Sequence, residues 1–250
     1  MRRTVPFVAI ALLALMTTGC SEENPVSGTP KAAAQHPAPA SAPDLSKTGV
    51  IDIRVTYAGA PVVKTLSINK DVAVCGKETK VESIEVGGDH GLDDAVVSVT
   101  DVAAPPSTGA PKIDQRGCQF RPHVLAMAPG ELEIVNSDGV LHNIHTYSKL
   151  NEPINKAQPK FKKVMTATLS KPEMVKVTCD VHSWMSGWIA VVAHPFGVTD
   201  DQGETRIAGV PSGSHTLEVW HPQLGRLSQP VTVKAGETTK VVFAYPAKAA

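Results

Sequence analysis

From residue 50 onward the sequence alternates with a period of two and never settles into a helical period. Within residues 50–57, Ile51, Ile53, Val55 and Tyr57 fall on one side and Asp52, Arg54 and Thr56 on the other. Successive side chains of an extended chain point to opposite faces, so this pattern predicts a strand with one buried face. Residues 95–102, 131–136, 163–169, 174–179 and 188–193 also read as strands, whereas 103–111 reads as a loop and 148–160 as an irregular insertion. After Pro195 the texture changes. Gly203, Gly213, Gly225 and Gly236 recur every ten to twelve residues, with short strands expected at 205–208, 215–220, 229–233 and 240–245. With 20 Pro, 19 Gly and only 4% aromatic residues, the composition suits many short strands joined by tight turns. The expected fold class is all-β: a main β-sandwich followed by a small C-terminal one.

The N-terminal residues read as an address. Arg2 and Arg3 precede an apolar run from Phe7 to Met16, too short to span a bilayer as a stable helix. The run ends in Thr17-Thr18-Gly19-Cys20, and Ser21 follows. A Gly-Cys after such a run resembles the lipobox of bacterial lipoproteins, although Thr17 stands where that family usually has Leu. The resemblance implies that Cys20 is acylated and becomes the new N-terminus; the alternative is an ordinary secretory signal cleaved nearby. Either way the expected location is exported, in a periplasm or cell envelope, and the lipid would tether the chain to a membrane. Residues 21–47 carry Pro25, Pro30, Pro37, Pro39 and Pro43 among Ala, Ser and Gly, and few large apolar residues. They read as a linker that cannot bury enough surface to order itself. Fully extended as polyproline II it would reach roughly 80 Å, and as a flexible coil about 30 Å. Lys+Arg and Asp+Glu both number 24, so no global charge bias points to nucleic acid.

The chemistry lies in two short segments. One is Val140-Leu141-His142-Asn143-Ile144-His145; the other runs Cys179-Asp180-Val181-His182-Ser183-Trp184-Met185 and continues through Ser186-Gly187-Trp188. One thiolate, two imidazoles and a thioether are the ligand set of a blue-copper centre, with a trigonal His₂Cys plane and a weak axial Met. The C-x₂-H-x₂-M spacing puts three ligands on one tight loop between two strands, and the remote His142 comes from another strand end, so folding itself assembles the site.

These segments resemble the plastocyanin/amicyanin group of cupredoxins. NSDGVLHNIHTYS is similar to the strand end that carries that family's first copper ligand, and CDVHSWMSGWIAVV to its ligand loop and last strand; the short His-to-Met spacing matches the amicyanin form. The resemblance implies a Greek-key cupredoxin sandwich over about residues 48–195, with the motifs covering roughly 120–193. It implies one type 1 copper held by His142, Cys179, His182 and Met185. Asn143 matches the family Asn whose backbone N–H points at the Cys sulfur and whose side chain ties the two loops. Its usual partner after the Cys is Ser or Thr, and here that position is Asp180. The run VTDDQGETRIAGVPSGSHTLEVWHPQLG, within residues 196–250, resembles carboxypeptidase regulatory-like (transthyretin-like) modules, a likeness that speaks to fold and not to function.

His145 lies three positions past His142, so on a strand it faces the other way and reads as a surface residue or as one that supports the ligands without binding the metal. His123 opens a strand; His194, His215 and His221 fall at the junction and in the second module, with no metal-like spacing. Trp184 reads as an apolar rim beside the metal. Of four cysteines, Cys20 is assigned to lipid and Cys179 to copper, which leaves Cys75 and Cys118. In an exported protein these are expected to form a disulfide, worth roughly 3–4 kcal/mol in the chain-entropy model. The rival is a second metal site using Cys118 and His123. No H-x-H pair or Cys-flanking His marks a second copper centre, and no nucleophile elbow or phosphate loop occurs, so an enzyme is not expected. The expected function is electron transfer with a redox partner protein. The alternatives are copper sequestration or delivery through the same ligands, and a C-terminal module that is itself the binding end.

Overall fold

The computed structural model describes residues 47–104 and 109–248. The leader, Cys20 and nearly all of the linker lie outside the described residues. Among the described residues no helix is long and apolar enough to cross a membrane.

Almost every described element is a strand. In chain order β1 (Thr48–Tyr57) is followed by β2 (Val62–Ser67), a single helical turn α1 (Val72–Cys75), β3 (Glu78–Ile84) and β4 (Val96–Val99). Then come β5 (Lys112–Gln115), β6 (Phe120–Arg121), β7 (Val124–Met127), β8 (Gly130–Asn136), β9 (His142–Tyr147), β10 (Asn155–Gln158), β11 (Val164–Leu169), β12 (Glu173–Thr178) and β13 (Ser186–Val191). The last strands are β14 (Phe196–Val198), β15 (Glu204–Pro211), β16 (Gly213–His221), β17 (Gly225–Val233) and β18 (Thr238–Tyr245).

Strands β5 to β13 make one sandwich. A sheet in the order β10-β9-β12-β13-β7 faces a sheet in the order β11-β8-β5-β6. Ile113, Leu132, Ile134 and Leu169 from one sheet meet Ile144, Val175, Val177 and Ile189 from the other, all fully or almost fully buried. The second sandwich packs β15-β1-β18 against β14-β4-β16-β17, with Ile51, Ile53, Val55 and Phe243 facing Val97, Val99, Leu217 and Val219.

This pairing corrects the expected boundary at residue 195. The strands predicted at 50–57 and 95–102 fall within the range expected for the first sandwich, 48–195, but both belong to the other one. β1 runs antiparallel to β15 and parallel to β18, and β4 runs antiparallel to β14 and β16. Each recruited strand sits inside its sheet with partners on both sides, so the C-terminal segment alone lacks the middle strand of one layer and one of the two interior strands of the other. The alternation in β1 reported a buried face correctly; nothing in it says which sheet the face belongs to.

A third apolar cluster joins the sandwiches back to back. β13 sends Ile189 and Val191 into the first core and Ala190 and Trp188 outward; β16 sends Leu217 and Val219 into the second core and Trp220 outward. Val96, Val124, Ala190, Val192 and Trp220 are buried between them, with Trp188 and Trp220 edge to face at 5.4 Å. Strands buried on both faces read as near-continuous apolar runs, as VVSV and WIAVV do.

Two excursions leave this frame. The hairpin of β2 and β3 with α1 stands outside both sandwiches, its Cys75 bonded to Cys118 across 43 positions as a disulfide. The segment expected to be irregular at 148–160 contributes β10, an edge strand on β9. Its approach is anchored by Glu173, whose carboxylate accepts hydrogen bonds from the Ser148 hydroxyl, the backbone N–H groups of Lys149, Leu150 and Asn151, and the Asn151 amide. Burial would raise the Glu173 pKa, but these donors outweigh it and bring the value down from 4.5 to about 2. The ionised form therefore stabilises the fold above the ordinary glutamate range, and that contribution is lost as pH falls from about 4.5 toward 2. Glu173→Gln is expected to cost roughly 1–2 kcal/mol at pH 7 after allowance for solvent screening. Urea melts at pH 7 and near pH 3 should show the gap between variant and wild type narrowing at the lower pH.

Candidate metal centre

The two predicted segments meet at one end of the first sandwich. β12 pairs antiparallel with β13, Thr178 opposite Ser186, so residues 179–185 form the loop that joins them. Two backbone bonds tighten that loop: Met185 N–H donates to the His182 carbonyl at 2.9 Å, and Cys179 N–H to the Met185 carbonyl at 3.3 Å. Gly187 lets the chain leave it, since a Cβ there would lie 2.9 Å from the His123 carbonyl oxygen. His142 opens β9, which lies beside β12 with His145 opposite Thr178. That register brings the start of β9 against Cys179.

The donor atoms converge. His142 Nδ1 and His182 Nδ1 are 3.1 Å apart, and His182 Nδ1 is 3.8 Å from Cys179 Sγ. Both imidazoles are 0% exposed, Cys179 is 2% exposed and Met185, the predicted fourth ligand, 1%. Cys179 is the free thiol among the described cysteines.

Each ring is held from behind by a carboxylate. His142 Nε2 is 2.9 Å from Asp138 Oδ2, and His182 Nε2 is 2.9 Å from Asp71 Oδ2. A carboxylate accepts and does not donate, so these contacts put the ring protons on Nε2 and turn the Nδ1 lone pairs inward. Two inward lone pairs 3.1 Å apart beside a sulfur repel one another, and a cation among them removes the conflict. Nitrogen, nitrogen and sulfur donors suit a soft transition metal such as copper. Burial, together with the nearby His182 ring, keeps the His142 pKa below its ordinary value despite Asp138. Its imidazole is thus neutral, the form that binds metal. For Asp138 burial acts to raise the pKa, but the N–H groups of Cys118 and Gly117 and the His142 ring prevail and hold it low.

The predicted supporting residues fall around this centre. Asn143 N–H points at Cys179 Sγ at 3.4 Å. The Asn143 side chain ties the loops through a different partner from the family pattern: its oxygen accepts from the Asp180 backbone N–H at 3.2 Å, and its amide donates to Asn155. The Asp180 carboxylate turns outward to His145 at 2.9 Å. His145 stacks on Tyr147 and is not among the converging donors. Trp184, expected at an apolar rim, is instead buried, with its ring 5.0 Å from His182 and its N–H donating to the Cys118 carbonyl.

Other candidates go elsewhere. Cys118 is taken by the disulfide with Cys75, so the grouping of Cys118, Asp138 and His142 offers no thiolate. His123 pairs with Asp94, which raises its pKa against the opposing effect of burial. His194 meets the Val102 carbonyl, and His215 lies between Asp101 and the Pro211 carbonyl. His221 is buried, which pushes its pKa down to about 4. Sequence reasoning missed the two carboxylates. Asp138 lies inside the NSDGVLH segment, four positions before His142, and that proximity was its signal. Asp71 is 111 positions from His182 and carried none.

No protein-family model matches the chain, and no curated protein matches it by sequence. Among solved structures, part of the chain is similar to a copper-containing nitrite reductase from Thermus scotoductus, at 22% identity and a TM-score of 0.32 over 38% of this chain and 25% of that one. The chain thus spans about a quarter of that reductase's length. An oxidised amicyanin variant is similar at 17% identity and a TM-score of 0.31, over 38% of this chain and 98% of that one. A purple cupredoxin from Nitrosopumilus maritimus is similar at 19% identity and a TM-score of 0.29, over 33% of this chain and 99% of that one.

Proposed function

We propose that this chain binds one copper ion through His142, Cys179, His182 and Met185 and passes single electrons to and from a redox partner protein. The observation that carries the reading is the convergence of two inward imidazole nitrogens and one thiol sulfur in a buried pocket. When bound, copper would supply the one-electron couple. The chain's own residues do the rest. Cys179 offers a soft anionic donor, the imidazoles offer borderline ones, and a mixture of the two suits neither oxidation state alone. Asn143 N–H donates to the sulfur and draws charge from it, and Asp138 and Asp71 fix the ring orientations. Burial in a packed sandwich limits how far the donors can move when the charge changes. We also read the chain as exported, tethered through Cys20 and without enzymatic activity of its own.

The second reading is copper sequestration or delivery through the same ligands. Delivery needs the ion to leave readily, and the complete burial of both imidazoles favours retention. Titration of the metal-free protein with copper, followed by metal analysis, is expected to end at one copper per chain with an intense visible band. A colourless complex, or no stoichiometric binding, overturns the proposal. Met185→Leu is expected to leave the site assembled and to raise its reduction potential, because a weak axial thioether tunes the ion while the equatorial donors hold it. Voltammetry of the variant against wild type measures this directly.

A further inference from the structure

The hairpin that stands outside both sandwiches reaches back to the metal centre. Asp71 immediately precedes α1, in a left-handed backbone conformation at φ 50°. Its carbonyl accepts the N–H groups of Val74 and Cys75, so the turn is fixed to it. Its carboxylate lies on His182 Nε2, and the Cys75 sulfur is 4.0 Å from the same nitrogen. The hairpin is not loosely placed. Ile68 is buried in the first sandwich's core, Val81 packs on it, and the Gln119 amide donates to Thr79 and to the Lys80 carbonyl. The Cys75–Cys118 disulfide then joins Asp71's segment to the loop at Gly117 and Cys118, whose N–H groups both donate to Asp138. One covalent link therefore connects the supports of the two carboxylates that back the two imidazoles.

We propose that this hairpin is a retention clamp for the metal and that Asp71 is a positioning residue acting through His182. By accepting the Nε2 proton it fixes the ring's tautomer and direction, leaves the Nδ1 lone pair facing Cys179 and His142, where the metal would be held, and covers the Nε2 edge of the ring. The inference rests on the copper reading for its effect on the ion, but the tautomer itself is a property of the metal-free chain. Loss of a partner behind a metal-bound histidine costs typically about 10–100-fold in affinity.

The test uses the full chain and two variants. In wild type without metal, ¹⁵N NMR of the imidazoles should show His182 protonated at Nε2. Asp71→Asn keeps an acceptor oxygen and should keep that tautomer, but it removes a negative charge behind a ligand and should raise the reduction potential of the copper-loaded protein. Asp71→Ala should lose the tautomer preference and release copper to a Cu(I) chelator at least about tenfold faster than wild type. An unchanged His182 tautomer in Asp71→Ala, with unchanged release, overturns the proposal. If Asp71→Ala does not fold, an unchanged potential in Asp71→Asn overturns it instead. Should wild type bind no copper, the copper reading fails, and the NMR comparison alone decides whether Asp71 positions His182.

Discussion

Replacing Cys179 by serine is expected to leave a folded protein with no intense visible band after copper loading. The band requires charge transfer from a thiolate to the metal, and a serine hydroxyl stays protonated and is a hard, weak donor. The substitution removes one sulfur at a buried position without adding volume, so the sandwich around it should persist. The affinity should fall by more than the roughly 10–100-fold that loss of an outer partner costs, because an equatorial donor is gone. Absorption spectra and a competition titration check both effects, with circular dichroism as the control for folding. Retained colour in the variant would show that another group supplies the sulfur or that the assignment is wrong.

Deleting residues 48–57 is expected to unfold the second sandwich altogether. β1 is the middle strand of its sheet, and Ile51, Ile53 and Val55 are 0%, 2% and 0% exposed. Truncating one such side chain costs about 2–5 kcal/mol. Losing all three, with a central strand's backbone bonds, is on the scale of the roughly 5–15 kcal/mol that holds a typical domain together. For the same reason residues 196–250 expressed alone should not fold. Trp220, buried where the sandwiches meet, should become exposed to solvent in the deletion variant, and a cooperative urea transition of residues 196–250 alone would contradict the strand order.

The alternation of Ile51, Ile53, Val55 and Tyr57 was legible because a strand with one buried face leaves that trace. The sheet it joins was not, because parallel pairing of β1 with β18 is a contact between residues nearly two hundred positions apart and leaves no local mark. Short or exposed strands were harder still. β2 is exposed at every position, so no apolar period announces it, and β10 carries Asn155-Lys156-Ala157-Gln158, a polar run that is a strand only because β9 offers a free edge. The grouping of His142, Cys179 and His182 was legible because two of its members lie within four residues and soft donors are rare. The carboxylates behind the rings were less visible. An aspartate is common on any surface, and only the fold shows that Asp71 and Asp138 each stand 2.9 Å from an imidazole nitrogen.

Electron transfer and copper delivery share every ligand and differ in what happens when the ion is reduced. Cyclic voltammetry of the copper-loaded full chain, with and without a modest Cu(I) chelator, separates them. For an electron carrier the wave is expected to be reversible, to survive repeated cycling and to be unchanged by the chelator. Irreversible loss of the wave on first reduction, with copper recovered in the chelator, would contradict electron transfer.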